Sequence, residues 1–133
     1  MKTIHIAEMI AEGGRDGNVE AADGGLSVDL ATDEREGSTT PEHLFAGAYA
    51  ACFLGSLKNH AEKAHIDVTG FTLVGRAHLE EDARGEYQLQ VDLRAALPGV
   101  SDSDAEHLLN LAHQTCPYSK AVRGNIVVNL SFD

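Results

Sequence analysis

The two cysteines, Cys52 and Cys116, are the residues of this 133-residue sequence best suited to covalent chemistry. A thiolate is a nucleophile and a reductant, whereas a thiol in apolar surroundings packs as a small hydrophobe and stays inert. Cys52 lies inside the uncharged run LFAGAYAACFLGSL, residues 44–57. Burial there raises a thiol pKa, so reactivity requires a cation beside the sulfur. Arg15, within Gly13-Gly14-Arg15-Asp16-Gly17, and Arg123 are the candidates. Cys116 stands before Pro117. If it ends a helix, the negative dipole end disfavours its thiolate; if Pro117 opens another helical turn, the dipole favours it. The pair admits three readings: packed thiols, a structural disulfide, or a redox couple. A permanent bridge over about 60 residues contributes about 4 kcal/mol in the chain-entropy model. A cycling couple suits a reducing compartment.

Glu42 precedes Cys52 by one decade of sequence, about 15 Å along a continuous helix. The two side chains should not touch on one straight helix. Serving Cys52 would take a break near Gly47, a bridging arginine or a partner chain. The plainer role of Glu42 is to complement the positive end of the helix dipole, and an arginine in a Gly-rich turn is usually a solvated charge. Other chemistries lack their patterns. Two cysteines and seven histidines, His60, His65 and His113 among them, show no tetrahedral zinc spacing. The nucleophile-elbow, P-loop and dinucleotide fingerprints are missing. Nothing implies a metal or cofactor.

The elements that must position these residues read as follows. Residues 3–9 are a short strand and 12–17 a Gly-rich turn. Residues 19–22 and 26–30 flank Asp23-Gly24-Gly25, a hairpin signal. Leu26, Val28 and Leu30 alternate with polar residues at the period of a half-buried strand. Thr39 or Thr40 can cap a helix that opens with Pro41 and Glu42. Its run 44–57 is too short to span a bilayer and too apolar for a surface helix, so it reads as buried on nearly all sides. Strands follow over 71–79 and 87–97. A second helix starts from a Ser103/Glu106 capping box and ends near Cys116. A closing strand, 125–132, turns Ile126, Val128, Leu130 and Phe132 inward. Hairpins interrupted by helices make an α+β fold with largely antiparallel sheets. One small sheet cannot cover so apolar a helix; an intimate dimer can.

Composition bounds the rest. The length suits one domain, 1–133, burying roughly 65–70% of its unfolded surface. Apolar residues are 43% and charged residues 23%, so disorder is disfavoured. A net charge of −11 repels phosphate backbones and anionic lipids, which argues against nucleic-acid or membrane partners. No signal-like apolar run follows Lys2, and the expected location is the cytoplasm.

Three blocks then make the chain recognisable: Gly13-Gly14-Arg15-Asp16-Gly17; Pro41-Glu42-His43-Leu44-Phe45-Ala46 running into Tyr49-Ala50-Ala51-Cys52-Phe53; and Cys116-Pro117-Tyr118-Ser119 with Arg123-Gly124-Asn125. The chain resembles the organic hydroperoxide resistance proteins, the Ohr branch of the Ohr/OsmC family. Thr40 stands where that family more often has Asn, and Lys120 is more typical of the OsmC side. The resemblance implies an Ohr/OsmC-like fold with two main helices in an intertwined homodimer, and a thiol-dependent peroxidase. In it Cys52 is peroxidatic, Arg15 holds its thiolate, Glu42 orients Arg15, and Cys116 resolves. It also implies an organic hydroperoxide substrate and a dithiol reductant such as a lipoylated protein. Leu44, Phe45 and Phe53 are expected to favour alkyl or lipid hydroperoxides over hydrogen peroxide. The competing expectations are an OsmC-type peroxidase of broader range and a non-catalytic redox sensor or binding protein.

Overall fold

The computed structural model describes residues 1–33 and 35–133. Its contacts fall into two compact units, Met1–Leu44 and Phe45–Asp133.

The first unit is a four-stranded sheet in chain order. Strand β1 (Met9–Glu12) pairs antiparallel with β2 (Asn18–Ala21), Met9 facing Ala21 and Glu12 facing Asn18. Between them Gly14–Asp16 form a single 3-10 turn. The glycine after it is obligatory: a Cβ on Gly17 would lie 1.7 Å from the Glu12 carbonyl oxygen. β2 turns through Asp23-Gly24-Gly25, where Asp23 Oδ1 accepts from the Gly25 N–H at 2.8 Å and Gly24 has φ 80°. This is the expected hairpin into β3 (Ser27–Leu30), with Val28 half-buried and Leu30 buried. A two-residue strand, β4 (Ser38–Thr39), adds parallel to β3.

The first strand is therefore displaced from its expected position. It begins at Met9, where residues 3–9 were expected to end one. A strand needs a partner for its backbone groups. β2 stops at Ala21, opposite Met9, and Ile4 and Ile6 lie exposed before the pairing starts.

Helix α1 (Pro41–Lys63) opens as its residues require. The Thr40 hydroxyl accepts from the His43 N–H at 3.2 Å, Pro41 takes the first position where no N–H is needed, and Glu42 lies at the positive dipole end.

The second unit holds most of α1 and a three-stranded sheet. Strands β5 (Thr72–Glu81) and β6 (Tyr87–Ala96) form a long antiparallel pair. β7 (Val128–Phe132) adds parallel to β6, Val91 facing Val128 and Ala95 facing Phe132. The inner face carries Leu73, Val91, Leu93, Ala95, Val128, Leu130 and Phe132, which pack into one core with α1 and α2 (Asp102–Thr115). Helix and sheet approach so closely that a Cβ on Gly75 would lie 2.9 Å from the Ala46 carbonyl oxygen and 3.1 Å from the Ala50 Cβ.

One chain by itself does not bury α1 on nearly all sides, and one expectation about the second helix is corrected. Tyr49, Phe53, Leu57 and Ala61, four residues apart, are fully buried, while Gly47, Ala48, Ala51 and Gly55 are exposed. One chain covers one stripe of this helix and leaves the small apolar residues uncovered. The second helix starts earlier than the Ser103/Glu106 box implied. Ser101 is its cap, extended at ψ 154° and accepting from the Asp104 N–H at 3.2 Å. The turn at Pro98-Gly99, with Gly99 at φ 79°, sets up that earlier entry.

Candidate active site

Two clusters hold the residues singled out by their chemistry, one in each unit. In the first unit Arg15 sits in the 3-10 turn. Its neighbour Asp16 anchors that turn by accepting from the Thr32 N–H at 2.8 Å and the Thr32 hydroxyl at 3.0 Å. Arg15 is thereby presented to the first turn of α1, where its Nη2 donates to both Glu42 carboxylate oxygens at 2.6 and 2.5 Å. The hydrogen bond from Arg15, against a smaller opposing effect of burial, holds the Glu42 carboxyl below its ordinary range. The same bond raises Arg15, so both groups stay charged. Arg15 is half exposed and Glu42 mostly covered. Because α1 runs unbroken through Gly47, the break that would bring Glu42 to Cys52 does not occur. Arg15, the arginine considered for a bridge, meets Glu42.

In the second unit the two cysteines meet. Cys52 lies half-buried on α1, and Cys116 lies fully buried where α2 gives way to α3 (Pro117–Val122). Both are free, and the Cys116 thiol donates to the Cys52 sulfur at 3.4 Å. Cys116 closes one helix and opens the next. Its N–H donates to the Ala112 carbonyl at 2.8 Å and its carbonyl accepts from the Lys120 N–H at 3.0 Å. Pro117 begins α3 because its missing N–H costs nothing at a first helical position. The question left open by the sequence, whether Pro117 starts a new helical turn, is thus answered.

Burial pushes the Cys52 thiol above its ordinary value, and Cys116 adds to the rise; the Tyr118 backbone N–H, at the start of α3, pulls it down. Arg123, the other candidate cation, donates instead to the His113 carbonyl and ties α3 back to α2.

Three residues beside the thiols carry no role of their own in the sequence reading. Ser119, fully buried, lies 2.7 Å from the Tyr49 hydroxyl and 2.9 Å from His113 Nδ1. In the sequence His113 figures only among the histidines that show no zinc spacing. The available signal was that Tyr49 and His113 each precede a cysteine by one helical turn, and Ser119 follows Cys116 by one. Of the expected substrate-side residues, Leu44 and Phe45 are half-buried, whereas Phe53 lies wholly inside the core. The Phe45 ring meets Tyr49 edge-on at 6.3 Å.

A chain with this sulfur pair and, among the described residues, two sheets and three α-helices can be compared with known proteins. The family model described as OsmC-like protein matches residues 32–131. The chain belongs to the Ohr/OsmC family. It is 36% identical over 135 residues to the organic hydroperoxide resistance protein of Xanthomonas axonopodis pv. citri, covering 98% of this chain and 95% of that one. It is 38% identical over 132 residues to organic hydroperoxide resistance protein OhrB of Bacillus subtilis, covering 96% of each. The crystal structure of an organic hydroperoxide resistance protein from Legionella pneumophila superimposes with a TM-score of 0.92 at 37% identity, covering 99% of both chains. The Ohr/OsmC resemblance and the α+β fold are thereby confirmed. Among the described residues no helix is long and apolar enough to cross a membrane.

Proposed function

We propose that this Ohr/OsmC-family chain is a thiol peroxidase that reduces organic hydroperoxides to alcohols. The observation that carries the reading is the pair of unbonded sulfurs 3.4 Å apart, one half-buried and one buried, in a chain whose relatives bear the organic hydroperoxide resistance name. The Cys52 thiolate attacks the distal peroxide oxygen; the O–O bond breaks and the alcohol leaves with a proton. Cys52 is left as a sulfenic acid. The Cys116 sulfur attacks it, water leaves, and a Cys52–Cys116 disulfide forms. A dithiol then reduces the disulfide by exchange, and we assign that role to dihydrolipoyl groups on a lipoylated protein.

Burial, and after it the Cys116 thiol, favour the neutral form of Cys52, so the reaction requires a compensating positive charge. We assign Arg15 to stabilise the thiolate and the charge on the departing oxygen, with Glu42 fixing its orientation. Their ion pair supports this assignment. Leu44 and Phe45 are assigned to the alkyl part of the substrate; Phe53, wholly buried, is left to the core. The exposed stripe Gly47, Ala48, Ala51 and Gly55 supports a homodimer, because small apolar residues allow close helix approach.

The test is to mix the reduced protein with one equivalent of cumene hydroperoxide and count thiols, then to repeat with Cys116→Ser. Loss of both thiols, and a dimedone-trappable sulfenic acid on Cys52 in the variant, are expected. Turnover should follow when a dithiol is added. Oxidation once without turnover would mark a redox sensor instead, and thiols that persist for minutes would sink the peroxidase reading. Faster oxidation by hydrogen peroxide than by cumene hydroperoxide would overturn the substrate assignment alone.

A further inference from the structure

The reaction just proposed uses two thiols, an arginine and a glutamate. It leaves unexplained why a fully buried serine sits between a tyrosine and a histidine beside those thiols. Tyr49 lies one turn before Cys52 on α1, and His113 one turn before Cys116 on α2. Both reach Ser119 on α3, at 2.7 and 2.9 Å. The hydroxyl of Ser119 has one proton and two lone pairs, so it can accept from the Tyr49 hydroxyl while donating to His113 Nδ1. That direction requires a neutral imidazole. Burial, and then the charge of Arg123, hold His113 below its ordinary value and keep it so. Cys116 lies in sequence between two of the tied residues, His113 and Ser119, and the third, Tyr49, stands on the helix carrying Cys52.

We propose that Tyr49, Ser119 and His113 form a clamp that holds the α2–α3 junction against α1, and that Ser119 is a positioning residue for the formation of the Cys52–Cys116 disulfide. In that step the Cys116 sulfur bonds to Cys52, the S–O bond of the sulfenic acid breaks, and the departing hydroxide takes up the Cys116 proton as water. The sulfurs must close from 3.4 Å to about 2 Å. A junction released from α1 loses that approach, and the sulfenic acid is left without a partner. The side chains of the clamp touch neither peroxide nor sulfur in this account; they act through the placement of Cys116.

The catalytic meaning of the clamp rests on the peroxidase reading, but its geometric effect does not, and the two are tested apart. The full-length protein is equilibrated in glutathione redox buffers, with no peroxide, to measure how readily the two thiols form their disulfide. Ser119→Ala is expected to lower that tendency about tenfold through lost orientation. Tyr49→Phe, which keeps the ring and removes one hydroxyl, should lower it in the same direction. In the double variant the effects should fall short of adding, since both cut one chain. An unchanged equilibrium in Ser119→Ala and Tyr49→Phe, or fully additive effects, would overturn the clamp. If circular dichroism shows Ser119→Ala unfolded, Tyr49→Phe decides alone. Cumene hydroperoxide is then added: Ser119→Ala should lengthen the life of the dimedone-trappable sulfenic acid on Cys52 while still forming it. Resolution as fast as in the native protein would overturn the positioning role. If the native protein forms no sulfenic acid, the peroxidase reading fails and the glutathione equilibrium still judges the clamp.

Discussion

At the scale of single residues, the Arg15–Glu42 pair joins side chains 27 positions apart, Arg15 Nη2 donating to both carboxylate oxygens. Its consequence for stability has a definite sign. Glu42 is held below its ordinary value of 4.5 in the folded protein, so the native state binds that proton less readily than the unfolded chain. The resulting stability is fully present above pH 4.5 and is lost as pH falls through the lower folded value. Glu42→Gln should therefore show a smaller fall in melting temperature than the native protein between neutral pH and pH 3. Melting curves across that range check it, and parallel losses in both proteins would mean that the pair contributes nothing. Cys52 shows the opposite balance. Its burial favours the neutral thiol, which is why a neighbouring cation matters more here than at an exposed cysteine.

The elements place these groups by close backbone approach. α1 lies so near β5 that Gly75 has no room for a side chain, with the Ala46 carbonyl and Ala50 Cβ both within 3.1 Å of where one would stand. The helix carrying Cys52 is thereby seated on the sheet. Gly75→Ala should push α1 outward and cost about 1–3 kcal/mol, the range for overpacking a filled site. Urea denaturation measures it, and a midpoint equal to that of the native protein would show that the helix shifts freely. At the other end of the unit, Cys116 both ends α2 and opens α3. A single extended residue at this corner turns the chain and brings the buried thiol to Cys52.

Across the whole molecule, the salient feature is what one chain leaves uncovered. The buried stripe of α1 is Tyr49, Phe53, Leu57 and Ala61, and Gly47, Ala48, Ala51 and Gly55 remain exposed. A stripe of such small residues suits a second helix lying close against it. Ala51→Arg should then convert a dimer to monomers, since it buries an unpaired charge in any such contact. Sedimentation velocity checks this. A native protein that sediments as a monomer, or a variant that remains dimeric, would rule out this stripe as the interface.

Much of this was set locally. The hairpin at Asp23-Gly24-Gly25 follows from an Asx turn with a glycine at positive φ, and the start of α1 from Thr40, Pro41 and Glu42. Each needs only a few neighbouring residues. The strand expected over residues 87–97 likewise returns as β6, Tyr87–Ala96. The three motif blocks named the family, and with it the cysteines and the Arg15–Glu42 pair. Strand β1 was misplaced because apolar alternation over residues 3–9 cannot say where a partner strand ends. Ser101 rather than Ser103 caps α2 because two serines with acidic followers satisfy the same pattern, and the preceding turn chooses between them. Which side of an almost uniformly apolar helix is buried cannot be read from its own residues, because there is no polar face to define the other. The meeting of Cys52 with Cys116, and the convergence of Tyr49 and His113 on Ser119, join residues 64, 70 and 6 positions apart. The wider contacts require three helices to pack in one arrangement. Local sequence supplies a thiol, a phenol, a hydroxyl and an imidazole; only long-range packing brings them within hydrogen-bonding distance.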